Sequence, residues 1–165
     1  MFPEFDATAS RTNLCYLTLE HVHGQMHSDL TGRFPVASTQ GNNYILVCYD
    51  FDSNAILVEP LTDRRATTIT AAYQKIYQRL INGGCKPQFQ RLDNECSKLL
   101  EELMQSLQID FQLVPPHDHR RLAAEQAIRT FKNHLIAGLC STNNDFPMQL
   151  WDRLIFQCTL TLNLL

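Results

Sequence analysis

Apolar and polar positions along this chain fall into two periods, one of strands and one of helices. Residues 1–23 carry no strong periodicity and read as a lead-in. The regular pattern starts at GQMHSDL, so the core is expected over residues 24–165. Residues 43–49 (NYILVCY) form an aromatic and β-branched run that predicts a buried strand. Residues 50–54 (DFDSN) are a turn signal, and residues 55–60 (AILVEP) predict a second strand, making a hairpin. Residues 67–81 have helical spacing, with Ile69, Ala72, Tyr73, Ile76 and Leu80 on one face; Gly83 and Gly84 end the helix. Residues 88–92 predict a short strand that feeds Asp93, and Asn94 is placed to cap the next helix. Leu99, Leu100, Leu103, Met104 and Leu107 give that helix its apolar stripe. Residues 109–114 predict a further strand, stopped by Pro115 and Pro116. A long helix follows from about His119 to Cys140. A last helix is expected to start near Phe146, capped by Asn144 or Asp145, with Trp151 in the core. The order β-β-β-α-β-α-β-α-α argues an α/β sheet covered by helices.

The chain has 165 residues, enough for one domain with a sizeable core. A hydrophobic share of 44% and a charged share of 19% describe a globular chain. No apolar run approaches the roughly 20 residues of a membrane span. The start, MFPEFDATASRTN, has neither a basic region nor an apolar run and is not read as a secretory signal. The six cysteines form no CxxC pair and mostly sit in apolar patterns, which predicts buried free thiols in a reducing compartment. Two HxH pairs, His21/His23 and His117/His119, lack partners at zinc spacing, so no zinc is expected in this segment. Net charge is −3, but residues 64–91 carry Arg64, Arg65, Lys75, Arg79, Lys86 and Arg91 with no acid among them. Such zoning suits a polyanion on one side of the molecule; a solvated basic helix face fits the same pattern.

Three acids are the candidate chemistry: Asp29, Asp93 and Glu125. Asp29 projects from the first predicted strand, Asp93 from the end of a later one, and Glu125 from near the start of the long helix. Sites in α/β sheets gather beyond the carboxyl ends of strands. Three carboxylates from separate elements supply the oxygen ligands that Mg²⁺ or Mn²⁺ prefers. Two such ions, roughly 3.5–4 Å apart, suit a phosphodiester displacement. On the helix, Arg129 and Lys132 lie four and seven residues after Glu125 and share its face, as cations placed to hold a phosphate backbone. Taken singly, each acid has an ordinary role: a turn residue, a helix N-terminal acid, or half of an i,i+4 pair with Arg129. Asp50 and Asp52 read as turn residues, and His117 and His119 as loop residues next to Glu125.

The segments SDLTGRFPVAS, GNNYILVCYDFDSNAI, RLDNECSKLL and QLVPPHDHRRLAAEQAIRTFKNHLIAGL together resemble the catalytic core of retroviral-type integrases, specifically those of copia-like LTR retrotransposons. The resemblance covers residues 24–165. It implies a ribonuclease-H-like α/β fold, a five-stranded mixed sheet flanked by helices. It also implies a catalytic, metal-binding triad of Asp29, Asp93 and Glu125 holding two Mg²⁺ or Mn²⁺ ions, with no other cofactor. The implied function is metal-dependent polynucleotidyl transfer, joining element DNA to target DNA, with related endonuclease activity. DNA would be positioned by Asn94, His117, Arg120, Arg121, Arg129 and Lys132. A homodimer through residues 67–81 and the helix after Phe146 is implied as well. So is an intracellular setting, in the nucleus or a virus-like particle, as part of a larger polyprotein whose flanking integrase domains this sequence does not include; no membrane contact is implied. Three departures stand out, one of them Arg121-Leu122 where a small polar residue is expected. The 31 residues between Asp93 and Glu125 fall slightly short of the family's nominal spacing, and Gln126 stands where an arginine is expected. Two other readings remain open. One is a non-catalytic DNA-binding or protein-docking module. The other is a different ribonuclease-H-like nuclease or transposase, although residues 67–81 lack the fourth carboxylate of a ribonuclease H.

Overall fold

The structure, a computed structural model, describes residues 23–93, 97–114 and 123–164, with backbone alone at positions 93, 114 and 123. Five strands form one sheet: β1 Gln25–Leu30, β2 Tyr44–Asp50, β3 Ala55–Leu61, β4 Phe89–Asp93 and β5 Asp110–Val114. Their spatial order is β3-β2-β1-β4-β5. β1, β2 and β3 pair antiparallel, whereas β4 joins β1 in parallel and β5 joins β4 in parallel. This is the expected five-stranded mixed sheet.

The hairpin forms where the turn chemistry placed it. Asp50 Oδ2 accepts the Ser53 amide at 2.9 Å and the Ser53 hydroxyl at 2.5 Å. Asp52 Oδ2 accepts the Gly24 amide at 2.8 Å and ties the turn to the start of β1. Asp52 is a turn residue, as expected, whereas Asp50 is the last residue of β2 and closes the turn with its side chain. Gly24 adopts φ +70°, and a Cβ there would lie 2.9 Å from the Gln88 nitrogen. The close approach lets the Gly24 carbonyl accept the Gln88 and Phe89 amides, which seats β4 beside β1.

Strand alternation sends side chains to two covered faces. Met26, Leu46, Cys48 and Leu92 pack with Ala72, Tyr73, Ile76 and Leu80 of α1 (Ala66–Asn82) and with Leu100 and Met104 of α2 (Lys98–Ser106). Ile45, Val47, Ile56 and Val58 pack on the other face. There they meet Ala127, Ile128, Phe131 and Leu135 of α3 (Ala123–Cys140) and Ile155 and Cys158 of α4 (Leu154–Leu164). Gln90 is wholly buried on the α1 face; its amide nitrogen donates to Ser28 Oγ at 2.9 Å and to the Arg91 carbonyl at 2.8 Å. Such internal satisfaction makes a buried amide tolerable.

Three local expectations are corrected. α2 is capped by Ser97, whose hydroxyl accepts the Leu100 amide at 3.3 Å, not by Asn94. The last helix does not start at Phe146 with an Asn144 or Asp145 cap. Residues 143–146 close a turn in which the Phe146 amide donates to the Asn143 carbonyl. Pro147 disfavours helical backbone at the residue before it. A 3₁₀ helix, Met148–Arg153, follows Pro147 and leads into α4. The cysteines are not uniformly buried: Cys48 and Cys158 are, Cys85 is half-buried, and Cys140 is exposed near the end of α3. Burial pushes the Cys48 thiol well above the ordinary cysteine range, against a smaller opposing effect of its hydrogen bond with Ser28.

Candidate functional site

Asp29 is the next-to-last residue of β1, is half-buried, and its Oδ1 accepts the Leu30 amide at 2.7 Å. Its Cα partner in β2 is Val47, which belongs to the core under α3, so Asp29 lies on the α3 face of the sheet. In the parallel pair of β1 with β4 the register runs from Gln25↔Phe89 to Ser28↔Leu92. Asp29 and Asp93 are the next residues on the two strands. Their positions are therefore side by side at the carboxyl ends of adjacent parallel strands. Asp93 is the last residue of β4, with Val114 of β5 as its Cα partner. Its side chain lies outside the described residues.

Glu125 stands in the first turn of α3 and is exposed. α3 packs on β1 and β2 because Ala127, Ile128, Phe131 and Leu135 repeat at helical spacing and fill the apolar face of the sheet. Ala124 is fully buried beside Glu125, which fixes the rotation of this turn. Among the described residues no cation pairs with Glu125, so the expected alternative of an ion pair with Arg129 is not formed. Arg129 is exposed and its guanidinium donates to Gln126 Oε1. Gln126, which stands in place of an expected arginine, thus holds a cation instead of supplying one. Lys132 is half-exposed, one turn further along α3.

Asn94, His117, Arg120 and Arg121 lie outside the described residues. Three of the six cations over residues 64–91 are held in ion pairs. Lys75 Nζ lies 2.7 Å from Glu59 Oε1, Arg79 pairs with Glu59 Oε2, and Arg65 pairs with Asp63 at 2.6 Å. Lys75 and Arg79 also stand on α1, which covers the face of the sheet opposite α3. Sequence reading missed Arg33, a cation three residues beyond Leu30. Its signal was the run DLTGR, which sets a cation directly after the strand that carries Asp29.

Among the described residues no three His, Cys, Asp or Glu side chains stand together as a metal site; the Asp93 side chain is not one of them. The donor chemistry itself fits a hard divalent cation. Asp29, Asp93 and Glu125 are all carboxylates, the oxygen donors that such an ion prefers.

No protein-family model matches the sequence, and no curated protein matches it. Solved structures do. The simian T-cell lymphotropic virus intasome, in complex with PP2A regulatory subunit B56 gamma, contains a chain that matches with a TM-score of 0.69 at 17% identity, over 84% of this chain and 47% of that one. The HTLV-2 integrase catalytic core domain in complex with magnesium, in a dimeric form, matches with a TM-score of 0.64 at 19% identity, over 84% and 83%. The catalytic core domain of BIV integrase matches with a TM-score of 0.61 at 15% identity, over 84% and 82%. This chain spans about half the length of the intasome chain and most of the length of the isolated cores. It has the ribonuclease-H-like fold of retroviral integrase catalytic cores.

Proposed function

We propose that this chain is the catalytic core of a copia-like retrotransposon integrase, a metal-dependent polynucleotidyl transferase that joins a DNA 3′ end to target DNA. One observation carries the reading: Asp29 and Asp93 occupy adjacent positions at the carboxyl ends of β1 and β4, on a sheet packed against the helix that presents Glu125. The likeness to solved integrase cores supports it, one of them in complex with magnesium. In this reading Asp29, Asp93 and Glu125 hold two Mg²⁺ or Mn²⁺ ions. When bound, such ions stabilise the charge on the attacking and leaving oxygens of a phosphodiester displacement.

The chain's own residues do the positioning. Asp29 is half-buried and accepts the Leu30 amide, whereas Glu125 is exposed. Arg129, exposed, and Lys132, partly buried, follow Glu125 along α3, and in this reading they bind the backbone of the DNA end. Asn94, His117, Arg120 and Arg121 belong to the same DNA interface on the strength of the sequence resemblance. A homodimer through α1 and α4 is part of the proposal. It is supported by Phe156, Leu160 and Leu164, exposed at i, i+4 and i+8 along α4, and by exposed Ile81 on α1. We further assign the protein to the nucleus or a virus-like particle, within a larger polyprotein.

The test is thermal denaturation across a Mg²⁺ and Mn²⁺ titration, paired with strand transfer on short duplexes. A metal-dependent rise in Tm that vanishes in Asp29→Asn supports the site. An equal rise in both proteins, or none in either, sinks it. DNA binding without joining, in Mn²⁺ as in Mg²⁺, favours the non-catalytic module instead.

A further inference from the structure

Residues 32–36 leave β1 shortly after Asp29 and line, together with α3 and the 3₁₀ helix, a half-open groove of about 320 Å³. Its back is rigid. Phe34 stacks on Trp151 with ring centroids 4.3 Å apart and planes 6° from parallel, and the indole N–H donates to the Val36 carbonyl at 2.9 Å. Ile136 of α3 and Met148 of the 3₁₀ helix line the groove and remain 56% and 51% exposed. The two charged side chains lining it are both cations, Arg33 and Lys132. Among the described residues neither has an ion-pair partner.

We propose that this groove docks a short acidic segment of a partner protein, in which bulky apolar anchors are interspersed with Asp or Glu. Three features select that occupant. Concave apolar walls with exposed Ile136 and Met148 gain from covering by apolar side chains. Two cations without an ion-pair partner, and no acid in the lining, among the described residues, favour an anionic partner and reject a basic one. A nucleobase is disfavoured, because its polar edge entering these walls would lose hydrogen bonds to water and find none in return. The groove does not include the three candidate carboxylates and does not rest on the transferase reading, but it shares Lys132 with the proposed DNA interface, so Arg33 and Met148 are the positions that test it alone. It shares the carboxylate site's two supports, the chain leaving Asp29 and the helix carrying Glu125.

The test uses the whole chain and a fluorescein-labelled peptide alternating Asp or Glu with Leu or Phe, read by anisotropy. Saturable binding is expected, weaker in high salt. It should fall about tenfold or more in Arg33→Glu and in Met148→Glu, both at exposed positions, with Tm unchanged. Asp29→Asn should bind the peptide as the parent chain does, which separates this site from the metal site. The proposal is overturned by absence of saturable binding, or by equal affinity for a peptide with lysine in place of the acids. It is overturned equally if both groove variants bind the peptide normally, or if they lose affinity for duplex DNA while peptide binding is unaffected.

Discussion

Ser28 of β1 is the register partner of Leu92 of β4 across a parallel strand pair. That single pairing determines that Asp29 and Asp93, separated by 63 residues in sequence, follow one another into the same end of the sheet. A slip of one residue would turn one of them to the opposite face.

The first prediction concerns these acids. Asp29→Asn and Asp93→Asn should each lower strand transfer by about a hundredfold or more, the scale of a lost group that acts on transition-state charge. Glu125→Gln should do the same while changing unfolding free energy by less than about 0.5 kcal/mol, because Glu125 is exposed. Urea denaturation and the transfer assay on the same samples decide this. Full transfer by any one of the three variants removes that residue from the triad.

A second prediction follows from Glu59, buried in β3 between Lys75 and Arg79 of α1, with Arg79 also donating to the Val58 carbonyl at 2.9 Å. Glu59→Gln releases two cations that are already more than half exposed, and should cost about 1 kcal/mol. The double variant Lys75→Met/Arg79→Met leaves a carboxylate buried without a partner, and should cost about 3 kcal/mol or more. Equal losses in urea would show that Glu59 reaches solvent.

Trp151 is the chain's one tryptophan, nearly fully buried against Phe34. Its emission should be blue-shifted in the native state and move red on unfolding. Trp151→Phe keeps an aromatic ring but loses the hydrogen bond to Val36, and should destabilise by about 1–2 kcal/mol. Trp151→Ala should cost about 3–5 kcal/mol. A native emission already at the solvent-exposed position would contradict this packing.

Thiol reactivity should divide by burial. Cys140 is exposed and should react with an aromatic disulfide reagent at once. Cys48 is buried with its thiol held protonated by desolvation, and should react only after denaturant is added. Peptide mapping of the labelled protein distinguishes the two; early labelling at Cys48 would mean that the β1–β2 pair opens readily.

Much of this architecture is written in local pattern. The runs around Val47 and Val58, the DFDSN turn and the helical repeat from Ile69 to Leu80 each carry their own period, and the strands and helix form where that period puts them. Helix starts were less legible. Ser97 rather than Asn94 caps α2, and Pro147 delays the last helix; both depend on which of several competent residues the backbone path favours.

The sequence by itself determined most of the elements and their order, and singled out three acids as candidates, because side-chain period, turn chemistry and residue type are local properties. Tertiary structure decided which elements became neighbours. It set β4 beside β1, so that Asp93 follows Asp29, and it neutralised Lys75 and Arg79 on Glu59 at the far face of the sheet. It also built the groove at Arg33 and Lys132 from segments about a hundred residues apart. Strand register and helix packing are long-range: they arise from burying both faces of one sheet at once, and no window of the chain contains that constraint.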